Sequence, residues 1–356
     1  MPGSVSHADW SLSWGIPTLK GGGLVIRKAN YKGTRVLYEA GAPFVLVDYH
    51  ANVPIFKDGL GWPACGSGLE FTALTPTAPN ATSSGIPPSG KATNDNQYDA
   101  ATNPGGAVMV EKHAAELNEP AHLVLWAKLQ CGNYQYIHRW EFGADGSIHA
   151  QVGLGGKLWT AHPGPDGLAG GRAHIHNFYF RLDFDIDTFS NNLVQEFAHT
   201  NLNLLAGDQW TDLKTESKRA VNPTQFTRWR VVNKTPKPNG QLRGYELIGG
   251  SEGPPDGTYS TGDLWVVRYK PSGEDGSNVG CNDGVLGNVY AGGGSPESAD
   301  GQDVVVWYCL RTHHLPRHRA EEDKVLPYEF IGFRIEPRDF LDHTPAGLYP
   351  TTPASP

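Results

Sequence analysis

Along much of the chain, apolar and polar residues alternate with a period of two. The clearest run covers residues 172–187. His174, His176, Phe178, Phe180, Leu182, Phe184 and Ile186 fall on one face; Asn177, Tyr179, Arg181, Asp183, Asp185 and Asp187 fall on the other. This pattern predicts a β-strand whose apolar face carries both imidazoles inward and whose second face is polar. Residues 133–142 alternate as well, with Tyr134, Tyr136, His138, Trp140 and Phe142 sharing a face. Residues 122–129 precede that strand, a turn at Ala144-Asp145-Gly146-Ser147 follows it, and residues 148–154 should pair back. Nearer the start, residues 24–31 and 34–40 predict a hairpin turning at Lys32-Gly33. Residues 43–50 predict a third strand, and residues 55–62 set Asp58 among apolar and glycine residues. Residues 1–20 read as a polar, Trp-bearing lead-in, and residues 75–106 as a long loop, functional or mobile. After Phe197 the pattern weakens until Trp229, with no repeat and no clear helix. Residues 259–269 and 304–310 read as strands, and residues 330–337 form an aromatic-acidic close. Strand signals run end to end without a linker. That predicts an all-β protein, one domain over residues 1–356, built of two or more packed sheets.

Composition sharpens this picture. The chain has 44 Gly and 27 Pro, enough to punctuate many short strands and long loops. A net charge of −8 argues against nucleic acid or an anionic membrane as partner. No basic segment followed by an apolar run opens the chain, and no apolar run is long enough to span a bilayer. A cytoplasmic location is the expectation. Cys65, Cys131, Cys281 and Cys309 are widely spaced, form no zinc-type pair and read as free thiols.

The chemistry begins with the two inward imidazoles. Buried imidazoles need partners. A His-x-His pair on one strand places two ring nitrogens side by side, where a transition metal satisfies both; the alternative is two core histidines bonded to backbone. A third ligand is available at the end of the strand after Val304, as His313 or His314. Three neutral imidazoles suit Cu(II) or Zn(II), and ligand softness does not choose between them. Taken alone, Tyr134 reads as a core tyrosine, Asp58 as a turn residue, and Asp183 and Asp185 as a solvated face. His50, His113, His138 and His318 read as ordinary histidines.

Together, and in this order, these stretches resemble the catalytic domain of the copper amine oxidases, quinone enzymes that oxidise primary amines. Gly132-Asn133-Tyr134-Gln135-Tyr136 is similar to the family's Asn-Tyr-acid segment, whose tyrosine becomes topaquinone. His174-Ile175-His176 followed by Arg181-Leu182-Asp183 resembles its His-x-His strand. Trp307 through His314-Leu315-Pro316 resembles the segment holding its third copper ligand, and residues 333–345 resemble its closing strand. The resemblance implies a large β-sandwich (a supersandwich), with copper(II) on His174, His176 and His314 and with Tyr134 as precursor of topaquinone. His314 is preferred to His313 because the family's ligand directly precedes a hydrophobic-Pro step. Asn133 adjoins the precursor and counts with the catalytic residues. Tyr49 would hydrogen-bond the quinone, and Asp58 would be the general base for the substrate's α-proton. Asp183, Asp185, Asp303 and the Phe184 carbonyl would form a secondary calcium site.

The resemblance further implies a primary amine and dioxygen as substrates, with aldehyde, ammonia and hydrogen peroxide as products. It implies a homodimer with intersubunit arms, for which residues 199–224 are the candidate. The sequence departs from the family at several points. Gln135 stands where an acid is usual, Gly59 follows Asp58 directly, Phe56 occupies a position that is often Tyr, and the family's smaller N-terminal domains have no counterpart. Two alternatives remain at this stage: a copper oxidase of the same fold with unmodified Tyr134, or a non-catalytic, metal-stabilised β-sandwich binding protein.

Overall fold

Two ten-stranded sheets face one another across an aromatic core. The structure, a computed structural model, describes residues 3–16, 23–49, 56–59, 69–74, 108–116, 119–132, 134–156, 173–198, 210–255, 260–270, 296–314 and 326–342. The first sheet runs in the order β1 (Gly3–His7), β2 (Trp10–Gly15), β3 (Val25–Tyr31), β4 (Thr34–Asp48), β12 (His174–Phe184), β19 (Val304–His314), β18 (Leu264–Arg268) and β15 (Ser217–Arg219). β5 (Phe56–Gly59) pairs with β4, and β6 (Leu69–Glu70) with β5. The second sheet runs β14 (Trp210–Leu213), β13 (Asn192–Phe197), β16 (Arg228–Pro236), β17 (Leu242–Ile248), β20 (Leu326–Arg338), β11 (Ile148–Gly156), β10 (Tyr134–Gly143), β9 (His122–Cys131) and β7 (Thr72–Leu74). β8 (Val108–His113) also pairs with β9.

The inner faces meet through rings. Tyr136 of β10 packs edge-on against Phe178 of β12 with centroids 5.6 Å apart, and Trp140 against Phe180 at 5.9 Å. Phe333 of β20 meets Phe180 at 4.8 Å and Tyr308 of β19 at 4.7 Å. Such pairs add to the burial of large apolar area and fix the offset of one sheet over the other.

Several expectations change in the structure. The lead-in is a hairpin, β1–β2, whose Trp10, Leu12 and Trp14 are buried; their alternation with Ser11 and Ser13 was visible, but the serines masked it as polar. The hairpin at Lys32-Gly33 forms, with φ of 48° and 82°, the left-handed pair that a two-residue turn requires. What read as two strands, residues 34–40 and 43–50, is the single strand β4. Its Ala42 and Pro43 stand opposite the one residue Phe180, so the proline falls in a bulge where its missing N–H costs no ladder bond.

The second face of β12 is not solvated. Asn177, Tyr179 and Asp183 are buried, and Tyr179 stacks on Phe44 at 4.8 Å within a separate cluster that includes Trp265, Trp307 and Cys309. A strand in the middle of a wide sheet is covered on both sides, and alternation of residue type does not reveal that. In the weakly patterned region after Phe197 the structure places β14 and β15, edge strands of different sheets, and a 3-10 turn at Pro223–Gln225. Edge strands open to solvent carry little apolar patterning, which is why the sequence showed none. Residues 75–106 and 199–209, Asn133, His50, His318, Cys65 and Cys281 lie outside the described residues. Cys131 and Cys309 are free and buried.

Candidate metal centre

β12 and β19 run antiparallel with His174 opposite His314 and Ile175 opposite His313. Residues opposite one another in a ladder point to the same face. His314 therefore joins His174 and His176 on the inner face, while His313 points away and is exposed. One nitrogen from each of the three rings falls within 4.8 Å of the others. Nε2 of His174 is 2.9 Å from Nε2 of His176 and 3.3 Å from Nδ1 of His314. Two nitrogens bound to one ion at 2.0–2.1 Å lie about 2.9 Å apart at a right angle and about 3.3 Å apart at a tetrahedral angle. The spacing is thus that of ligands around a single metal.

The charge state agrees. His176 is held well below the ordinary imidazole range, first by burial and then by the neighbouring His174 and His314. A ring kept neutral offers a lone pair, which a transition metal needs and a protonated imidazole cannot give.

The second sheet brings tyrosines over these rings. β9 and β10 form a hairpin in which Tyr134 pairs with Cys131, and Gly132 turns with φ of 55°. Tyr134 points inward, its hydroxyl 3.3 Å from Nε2 of His174. The Tyr49 hydroxyl makes a short hydrogen bond with that of Tyr134, and its ring stacks on His174 at 4.5 Å. Gln135 lies on the opposite face of β10 and donates to Gln130 at 3.0 Å, so the residue standing where an acid is usual does not touch the histidines. Tyr136 has no role that its local pattern predicts, yet its hydroxyl is 3.4 Å from Nδ1 of His176. Its place on the same face as Tyr134 was the available signal. His138, next along, is fully buried with neither ring nitrogen bonded among the described residues, and burial pushes it down to about 3; it is a neutral core histidine.

Asp58 lies on β5, in register with Val45 of β4, the strand that leads to Tyr49. Far from the histidines, at the other end of β12, Asp183, Asp185 and Asp303 bring carboxylate oxygens within 4.8 Å of one another. With ~3.3 Å per strand residue, the two clusters are roughly 30 Å apart. Arg181 meets Asp183 at 3.1 Å and Arg35 meets Asp185 at 3.7 Å. Burial, then the charge of Asp183, push Asp185 up to about 6, against the pull of Arg35. Phe184, between the two aspartates, pairs with Val304 next to Asp303.

A family model described as "Copper amine oxidase, enzyme domain" matches residues 108–355. The chain belongs to the copper amine oxidase family. Among curated members it is 27% identical over 278 residues to "Amine oxidase [copper-containing] gamma 2" of Arabidopsis thaliana, covering 65% of this chain and 39% of that protein. It is 27% identical over 273 residues to "Primary amine oxidase" of Arthrobacter sp. (strain P1), covering 67% of this chain and 41% of that one. The chain thus spans about two-fifths of the length of these relatives. A copper-containing benzylamine oxidase from Hansenula polymorpha superposes over 98% of this chain and 62% of its own, with a TM-score of 0.69 at 18% identity, which shows a shared fold. The family match covers β8 to β20 and so includes Tyr134 and all three clustered histidines, whereas Tyr49 and Asp58 precede it. No helix among the described residues is long and apolar enough to cross a membrane.

Proposed function

We propose that the chain is the catalytic domain of a primary-amine oxidase, with copper on His174, His176 and His314 and topaquinone formed from Tyr134. The observation that carries this reading is the Tyr134 hydroxyl 3.3 Å from Nε2 of His174, inside a three-imidazole cluster. The net reaction takes amine, dioxygen and water to aldehyde, ammonia and hydrogen peroxide. Copper and the quinone supply the electron sink and its reoxidation by dioxygen. The chain's own residues do the rest. Three neutral imidazoles fix the ion, and Tyr49 holds the oxygen of residue 134. Asp58 takes the α-proton from carbon, with Asn133 beside the cofactor as a further catalytic residue. Asp183, Asp185, Asp303 and the Phe184 carbonyl form an all-oxygen set suited to calcium. The enzyme works as a homodimer.

Mass analysis of the Tyr134 peptide tests the central step. After copper reconstitution in air, the peptide should gain two oxygens and lose two hydrogens, and peroxide should appear with primary amines. A Tyr134 that stays unmodified in copper-loaded, aerated protein would leave a copper site facing an ordinary phenol, and the quinone reading would be wrong. The base is tested separately. Asp58→Asn should keep copper and quinone yet lower amine turnover by about 10²–10⁴-fold, the range of general acid–base contributions. Turnover at the wild-type rate would place the base elsewhere.

A further inference from the structure

Tyr136 is fully buried one pleat beyond Tyr134, wedged edge-on between Phe71 at 5.8 Å and Phe178 at 5.6 Å. Its hydroxyl meets Nδ1 of His176 at 3.4 Å, while the other nitrogen of that ring faces His174. Phe178 lies parallel to the same imidazole, 9° between planes at 5.9 Å. The ring is therefore located by packing, but packing does not distinguish its two nitrogens. A hydrogen bond does. An imidazole that gives its Nε2 lone pair to a metal carries its proton on Nδ1, and on a ring as fully buried as His176 that N–H needs an acceptor.

We propose that Tyr136 is a positioning residue for His176: its phenolic oxygen accepts from Nδ1–H and so fixes the tautomer and the angle at which Nε2 meets the metal. Outer partners of this kind typically change metal affinity by about 10–100-fold when removed. The proposal rests on the metal reading of the three-histidine cluster, and the tests keep the two apart.

Zinc serves as a diamagnetic probe, since it suits three imidazoles. In the zinc-loaded wild-type protein, nitrogen NMR should show His176 metallated at Nε2 with a slowly exchanging Nδ1–H; metal on Nδ1 would overturn the proposal without any variant. By chelator competition, Tyr136→Phe should raise the dissociation constants for zinc and copper about 10–100-fold and shift the Nδ1–H resonance. Tyr245→Phe removes a buried hydroxyl that has no hydrogen-bond partner among the described residues, away from the site, and should leave both unchanged. In a His176→Ala background the Tyr136 substitution should add nothing to the residual affinity, because its target is gone. An equal loss there would mean that Tyr136 acts by packing alone, and a change of less than about twofold in the single variant would also refute the assignment. Wild-type protein that takes up neither ion would overturn the metal reading itself, and this one with it. Uptake indifferent to Tyr136 would overturn only this one.

Discussion

His174→Ala should abolish stable copper loading and, with it, amine-dependent peroxide release. This ring is the hub of the site. Its Nε2 lies within 3.3 Å of donors on three other residues, His176, His314 and Tyr134. Structural zinc sites with four ligands gain 10–16 kcal/mol, so one ligand contributes roughly 3 kcal/mol, or about 10²–10³ in affinity. The loss at His174 should reach at least that, because the same atom also sets the approach of the Tyr134 hydroxyl. Metal content after dialysis against a chelator measures it directly. His313→Ala, one strand residue from a ligand but opposite Ile175 and exposed, should keep full copper. If His174→Ala retained stoichiometric copper after such dialysis, the cluster would not be the copper site.

How far the sequence disclosed this site depends on which kind of pattern each part left. The His-x-His strand and the Tyr134 face were legible because both lie on strands with one apolar inner face, where a period of two is a direct record of burial. That His314 and not His313 joins the cluster follows from the register of β12 against β19, a long-range pairing that local pattern does not carry. The choice of His314 came instead from the likeness of the residues after it to the family. The unbroken course of β4 was hidden by Pro43, which locally says turn and in the fold occupies a bulge. The burial of the second face of β12 was hidden as well, because Arg181, Asp183 and Asp185 look like solvent residues in one dimension. In the fold those charges are paired: Arg181 with Asp183, and Asp185 with Arg35 of β4. Tyr136 falls on the correct face but carries no role in the sequence, since its partner is 40 residues away along the chain and 3.4 Å away in space.

The acidic cluster at the other end of β12 makes the second large prediction, and its sign depends on pH and on calcium together. Asp185 has its folded-state value pushed up to about 6 from 3.8 by burial and by Asp183. An acid raised in the folded state is stabilising when protonated. Its contribution is full below about 3.8 and is lost as pH climbs through 6. Across that window the cation-free protein should lose up to roughly 3 kcal/mol from this group. A bound divalent cation reverses the balance, because it favours the ionised carboxylates that otherwise repel. At pH 7 in a calcium chelator, Asp185→Asn should therefore melt at the same temperature as the wild type or higher. With calcium at a hundred times its dissociation constant the wild type should gain about 2.7 kcal/mol, a rise of a few degrees, and the variant should gain little. The calcium gain should shrink toward pH 4.5, where protons compete for Asp185. Thermal melts in the four combinations of protein and calcium, repeated at both pH values, decide the matter. A wild-type melting temperature indifferent to calcium at pH 7 would mean that the three carboxylates are held together by Arg35, Arg181 and the fold alone, and that no hard cation belongs between them.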